Sequence, residues 1–590
     1  MADIQIASRS WPGRHLAWAR PARATGLAWA GTAAVLAAAP FERIDARLLL
    51  VPGQALTNVE AVVVAALGIW VVALLAGGRA VVWRTPITTP AVLFLLVLGL
   101  AAIAAPAHQV NALKVTGRVT AGLAVCLLAM NAATSTQRAV TLLRVAAASG
   151  ALVGVIAVLE YLRVPLVLQW LTHFRETAHV VGGTLRMTST LQYPTIASMY
   201  LEMVFAFALG LFVLEVDRGA NGRAVLMAAA ILVIAEGIIL TLARAGLITM
   251  AASLAIVLAG LTIRRGFDRA CRATGAIAAL IAVCLLATWP AAPLRARLTT
   301  ENHDGWYVAT WKTPSDLRMH GGEWQRVPVT VRNDGIVMWQ SDEDPPFMLS
   351  YHWLTESGDR VVQFDGQRTV FPNAVAPGDA VTLLATVRAP ERPGRYRLMW
   401  DIVQEQRLWF STERSPSAVT PVEVSGRRAG PALPPPTTIP LPAASVRLGR
   451  LALWRIAAAM IASRPLLGVG PDNFRLLYGA QAKIDRPDVR VHTNNMYLEL
   501  FVGAGVLGGL LFLWLLWRAA RALARSLPAA SGRHLVVSLG TAAALAAVLI
   551  HGLVDSFLTF TPTYVLIWVT LGLAVRLAAL PGDSPDADRV

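Results

Sequence analysis

VHTNNMYLELFVGAGVLGG, residues 491–509, sets a polar run of His492, Thr493, Asn494 and Asn495 directly before an apolar run that continues to Trp517. A helix needs about 20 apolar residues to cross ~30 Å of hydrocarbon. The stretch therefore predicts an unbroken membrane helix with polar side chains fixed at its mouth. The first turn of such a helix leaves unpaired N–H groups and a positive dipole end, which suit an anion. Chemistry on an anionic lipid fits this edge.

The rest of the chain agrees with a membrane setting. Of its 590 residues, 55% are hydrophobic and 15% charged, and the mean hydropathy is +0.55. Soluble domains carry about 25% charged residues, so the composition predicts an α-helical polytopic membrane protein. The net charge of +16 does not point to nucleic acid, because the arginines fall mostly in short loops between apolar runs, as the positive-inside bias requires. Cys126 and Cys284 lie in apolar runs and Cys271 in a basic loop, so no disulfide framework is expected. Arg9, Arg14, Arg20 and Arg23 precede the first apolar segment, which lacks a cleavage site and reads as a retained span.

Apolar segments at 24–40, 58–78, 88–105, 112–130, 139–160, 195–215, 223–241, 245–263, 273–290, 497–517, 534–553 and 559–578 predict about twelve spans. Their basic loops fall on one side, read as cytoplasmic. The segment 161–194, the turn around Arg244 and the insert 291–496 then share the outer face. The expected divisions are a tail (1–23), nine spans (24–290), a connector (291–322), a β-sandwich (323–424), a linker (425–444), an amphipathic helix with a polar loop (445–496), three spans (497–578) and a second tail (579–590).

Within the insert, strand-like runs at 327–331, 347–352, 381–387 and 396–403 alternate with the turn pairs Asp334-Gly335, Pro377-Gly378 and Pro393-Gly394. RNDGIVMW (332–339) and PGRYRLMWD (393–401) resemble pieces of the immunoglobulin-like sandwiches appended to surface proteins. Trp339, Trp353, Trp400 and Trp409 are candidates for a sugar-stacking platform, with sandwich core as the plainer reading for Trp339 and Trp400. PALPPPTTIPLP (431–442) reads as a stiff linker. Residues 446–461 read as an interfacial amphipathic helix, with arginines between its apolar positions.

ASRPLLGVGPDNF (462–474) follows, then the polar loop and the glycine-bearing helix. That order resembles the O-antigen ligase family. GGTLRMTSTLQYPTIASMYL (182–201), TLARAGLI (241–248) and HGLVDSF (551–557) extend the resemblance. It implies a GT-C-like membrane glycosyltransferase that takes a glycan from an undecaprenyl-diphosphate carrier and passes it to a lipid, polysaccharide or protein hydroxyl on the outer face of a bacterial inner membrane.

By that resemblance Arg186 and Arg244 grip the diphosphate, a task suited to guanidinium. Where the family usually shows a serine before the second arginine, this chain has Ala243. His492 is the candidate for the family histidine, as base or phosphate contact, although many members place it directly before the asparagine where this chain has Asn494. Asn494, Asn495, Tyr497 and Asp555 are candidate substrate contacts. Asn495 is as readily a helix cap, and Asp555 a structural acid that could pair with an arginine. Glu160, Glu202 and Glu236 lie at membrane depth without a nameable partner. Neither a nucleotide loop at Gly468 and Gly470 nor a metal-ligand spacing is legible, so no cofactor and a metal-independent enzyme are expected. A ligase and a polymerase fit equally. A transporter of the same lipid-linked glycan, or a glycan-binding module on an anchor, is the reading from another class.

Overall fold

The computed structural model describes residues 21–45, 47–51, 54–77, 81–175, 179–181, 184–288, 305–341, 346–405, 407–426, 439–440, 448–484 and 487–581. The first 20 residues, the last nine and most of the expected linker lie outside them. The chain forms two compact units, one helical and one built of β-strands.

In the helical unit each expected apolar segment falls on one helix: α1 (Pro21–Ala38), α2 (Asn58–Gly77), α3 (Thr88–Ile103), α4 (Gln109–Ala132) and α5 (Thr136–Tyr161). A short α6 (Pro165–Leu171) leads to α7 (Pro194–Asp217), α8 (Asn221–Leu240), α9 (Arg244–Arg265) and α10 (Phe267–Thr288). After the strand unit come α11 (Arg450–Ser463), α12 (Phe474–Gln481), α13 (Met496–Ser526), α14 (Gly532–His551) and α15 (Thr561–Ala579). Nine of the described helices are long and apolar enough to cross a membrane, and α1 and α3 are shorter apolar helices. This is the architecture of a polytopic membrane protein.

Local chemistry starts several of these helices. The Ser135 hydroxyl accepts from Arg138 N–H at the head of α5, and Pro194 opens α7, where its missing N–H costs nothing. The expected amphipathic helix at 446–461 is α11, shifted a few residues along.

α7 is the axis of the unit, buried along its length and packed by α5, α8, α9 and α14. Hydrocarbon offers no hydrophobic gain for helix association, so small residues that let backbones approach carry the packing. Gly210 and Gly540 do so at the α7–α14 crossing. A Cβ on Gly540 would stand 3.0 Å from the Ala206 carbonyl oxygen, and one on Gly210 2.7 Å from that of Val536.

The strand unit holds two sheets around one core. The larger runs β5 (Arg360–Gln363), β4 (Phe347–Thr355), β7 (Gly394–Gln404), β8 (Val419–Ser425), β2 (Leu317–His320), antiparallel except for the β8–β2 pair. The smaller runs β6 (Ala380–Arg388), β3 (Trp324–Asn333), β1 (Ala309–Lys312). The four expected strands lie inside β3, β4, β6 and β7. The sheets begin earlier than 323, because β1 and β2, in the expected connector, supply an edge to each. Alternate residues of β3 and β6 point inward: Val327, Val329 and Val331 against Leu383, Ala385 and Val387.

Three of the four candidate stacking tryptophans are lost as a platform. Trp339, Trp353 and Trp400 have no exposed surface and fill the core. The indoles of Trp353 and Trp400 donate to the Arg388 carbonyl at 2.9 Å and the Thr420 hydroxyl at 3.0 Å, which satisfies their one polar atom. Trp409 is half-buried beneath the Arg368 guanidinium, 5.0 Å from its ring.

Gly540→Val should lower the stability of the detergent-solubilised protein by about 1–3 kcal/mol, the usual cost of overpacking. A thermal unfolding curve unchanged from wild type would mean that α7 and α14 are not in this contact.

Candidate active site

α13 is not the unbroken helix that its apolar run predicts. Gly505 sits inside it at φ 68°, ψ −174°, which interrupts the helical ladder and releases carbonyls that in an apolar interior must find donors. A strap after α11 supplies them. Val469 N–H donates to Val502 O at 2.9 Å and Gly470 N–H to Gly503 O at 3.0 Å, while Val506 N–H returns a bond to Pro465 O at 2.7 Å. Glycines are required on both sides, since a Cβ on Gly505 would lie 2.2 Å from Leu466 O and one on Gly468 2.2 Å from Val502 O. This is the role of the glycines that showed no nucleotide-loop pattern.

Docking the strap brings Asp472 against the polar loop. His492 Nδ1 stands 3.7 Å from Asp472 Oδ1 and 3.6 Å from Glu499 Oε1, too long for hydrogen bonds, and none of the three atoms has another partner among the described residues. The second oxygen of each acid is anchored. Asp472 Oδ2 accepts from Arg475 Nε at 2.7 Å and Asn111 Nδ2 at 3.3 Å, and Glu499 Oε2 accepts from Thr493 N–H at 3.1 Å and its hydroxyl at 2.9 Å. Both acids are more than nine-tenths buried at the side chain.

Three lone-pair-bearing atoms facing one another in a buried space need a donor hydrogen or a cation between them. A proton on Nδ1 provides it. Burial disfavours the imidazolium, but the carboxylates of Glu499 and Asp472 outweigh that penalty and raise the His492 pKa above its ordinary 6.5. The same atoms lie within 4.8 Å of one another, so this group could also hold a metal ion. In the sequence the three residues are scattered and show no metal-ligand spacing.

Arg186 and Arg244 meet at the α8–α9 turn. Arg186 Nε donates to Thr241 O at 2.9 Å, and Met187 N–H donates to Leu240 O at 3.1 Å. Thr241 builds the turn by donating to Ile238 O at 2.6 Å and accepting from Ala243 N–H at 3.2 Å, with Leu242 at φ 54°. Arg244, half-buried, is the first residue of α9, where the helix dipole disfavours a cation. No hydrogen bond or ion pair engages its guanidinium among the described residues. Behind Arg186 the chain is clamped by Glu160, which pairs with Arg175 and accepts from Ser189 N–H at 2.7 Å and Thr188 N–H at 3.3 Å.

A path of contacts joins this turn to the histidine loop. Gly246 packs on Ser198 and Glu202 of α7, and the Ser198 hydroxyl donates to Glu202 at 2.6 Å. Glu202 in turn holds His551 Nδ1 at 2.9 Å, at the end of α14. Directly beyond, Met496 N–H donates to Gly552 O at 2.8 Å, Asn495 Nδ2 to Leu553 O at 2.9 Å and the Tyr497 hydroxyl to Leu549 O at 2.8 Å. Asn495 also caps α13, accepting from Leu498 N–H at 2.9 Å. Asn495 and Tyr497 are thus committed to packing. Asn494 is half-buried in a left-handed conformation at φ 51°. Asp555 accepts from Ser556 N–H at 2.7 Å, and no arginine pairs with it among the described residues.

The sequence reading missed Asp472, Arg475, Glu499 and Asn111. An acid in the first turn of a helix, such as Glu499, reads as a dipole partner. The available signal was the acid inside the P-D-N segment beside two glycines.

Fold and site together define a polytopic membrane protein with cationic and acid-flanked groups at one end of its helix bundle. Residues 443–513 match the family model described as Wzy_C, O-antigen ligase. The match takes in α11, the strap, His492, its two acids and the helix break, and leaves Arg186 and Arg244 outside. No curated protein matches the chain.

Gly505→Ala should displace the strap and cost about 2 kcal/mol or more from overpacking and a left-handed alanine. A melting temperature equal to wild type would show that the break does not depend on glycine.

Proposed function

We propose that the protein is a membrane glycosyltransferase that moves a glycan from an undecaprenyl-diphosphate carrier to an acceptor hydroxyl, acting on the outer face of a bacterial inner membrane. The observation that carries this reading is Arg244. A guanidinium without a partner among the described residues, on the positive end of α9 and in a turn to which Arg186 is bonded, is a place suited to an anion.

The two arginines hold the diphosphate as leaving group. As the bond from the anomeric carbon to the diphosphate oxygen breaks, its electron pair stays on that oxygen and the guanidiniums offset the growing charge. The acceptor oxygen forms the new glycosidic bond from the opposite face, with inversion. Its proton passes to His492 Nε2, while Nδ1–H faces Asp472 and Glu499, which stabilise the imidazolium formed.

Arg244→Ala should cut transfer from a synthetic lipid-linked oligosaccharide by about 100-fold or more, with Arg244→Lys retaining part of the rate. Near-wild-type transfer by a folded Arg244→Ala protein would remove this residue from the reaction.

A base must be unprotonated, so kcat/KM should rise with pH through the raised His492 pKa, above 6.5. The stability given by the imidazolium runs the other way, complete below 6.5 and lost as pH climbs through the raised value. Glu499→Gln should move the acid limb of the rate profile to lower pH, read with EDTA present throughout. An unmoved limb would dismiss His492 as the base, and loss of wild-type transfer to EDTA would put a metal where the proton is drawn.

A further inference from the structure

A second charged place lies at the far end of the bundle. From the break at Gly505 α13 continues 16 residues further to Arg521, about 24 Å at 1.5 Å per residue. There a cavity of about 570 Å³ opens between the approach to α3, the last turns of α13 and the end of α15. Arg84, Arg518, Arg521, Arg525 and Arg576 line it, and no aspartate or glutamate does.

Single arginines at helix C-termini need no explanation, since the dipole favours them there. Five around one cavity repel one another. No ion pair neutralises any of the five among the described residues. Of the five, Arg576 alone is tied to the backbone of the described residues, its Nε donating to Ala133 O at 3.1 Å. Arg521 lies over the Trp517 ring at 4.7 Å and Arg84 over Trp83 at 5.2 Å, contacts that orient a guanidinium without neutralising it. Both indoles are about half exposed, as aromatic side chains are at a membrane interface. The rest of the lining is largely apolar, including Val82, Met130, Val575 and Ala579.

We infer that this cavity binds a phosphate group, supplied by the headgroup of an anionic phospholipid or by free phosphate. Converging guanidiniums match phosphate oxygens, and the apolar wall suits the glycerol and first methylenes of a lipid. The distance along α13 separates it from the donor site, so it does not depend on the proposed reaction.

The test uses the full-length protein in neutral detergent, titrated with dihexanoyl phosphatidylglycerol, the matching phosphatidylcholine, or inorganic phosphate, and read by tryptophan fluorescence and thermal shift. Phosphatidylglycerol should bind at least tenfold more tightly than phosphatidylcholine, and the Arg518→Gln, Arg521→Gln, Arg525→Gln triple variant should lose that preference. Competition by inorganic phosphate at similar concentration would identify the free anion as the ligand, and its failure to compete would identify the lipid. Equal binding of the two lipids with no response to phosphate, or affinities unchanged in the triple variant, would overturn the proposal. If the triple variant does not fold, Arg521→Gln alone should weaken binding at least threefold, and no weakening would count equally against it.

Discussion

The candidate site depends on backbone carbonyls that cannot be left bare. In hydrocarbon an unpaired carbonyl costs several kcal/mol, so a broken membrane helix must bring its own donors. Gly505 breaks α13, and the strap at 465–470 supplies N–H groups to Val502 and Gly503. Everything after the strap inherits that placement. Asp472 turns against His492, Arg475 and Asn111 fix its other oxygen, and the polar loop closes over Glu499.

A second constraint acts at the arginine turn. Thr241 and a left-handed Leu242 reverse the chain within a few residues, leaving Arg244 at the head of a helix. Ser189, Leu242, Asp472 and Asn494 all carry positive φ without being glycine, and all four lie in the segments that hold the candidate residues. Such conformations cost energy and persist where the surroundings dictate them. Here they are held by buried acids and by backbone bonds from neighbouring helices.

Much of this could be read from residues alone. Long apolar runs bounded by arginine and proline gave the long apolar helices of the bundle, though not the short α6 and α12, because hydrocarbon thickness leaves few alternatives to about 20 residues. Valine-rich alternation gave β3 and β6, and Trp339 and Trp400 declared the core they fill. The break at Gly505 was hidden because GAGVLGG is equally apolar as a straight helix. The acid pair was hidden because Asp472 and Glu499 converge only after the strap docks, a tertiary event with no local period. Arg186 and Arg244 became candidates through resemblance, and their shared turn rests on a side chain to carbonyl bond that composition cannot announce.

The bonds between strap and helix are almost wholly main chain to main chain, so side chains such as Leu466 and Leu467 contribute little to the alignment itself. Swapping them for other residues of similar size would leave the joint in step. Inserting or deleting a single residue between Pro465 and Asp472 would not, because each N–H would then meet the wrong carbonyl and Asp472 would rotate away from the imidazole. The segment is therefore a ruler, tolerant of spelling and intolerant of length.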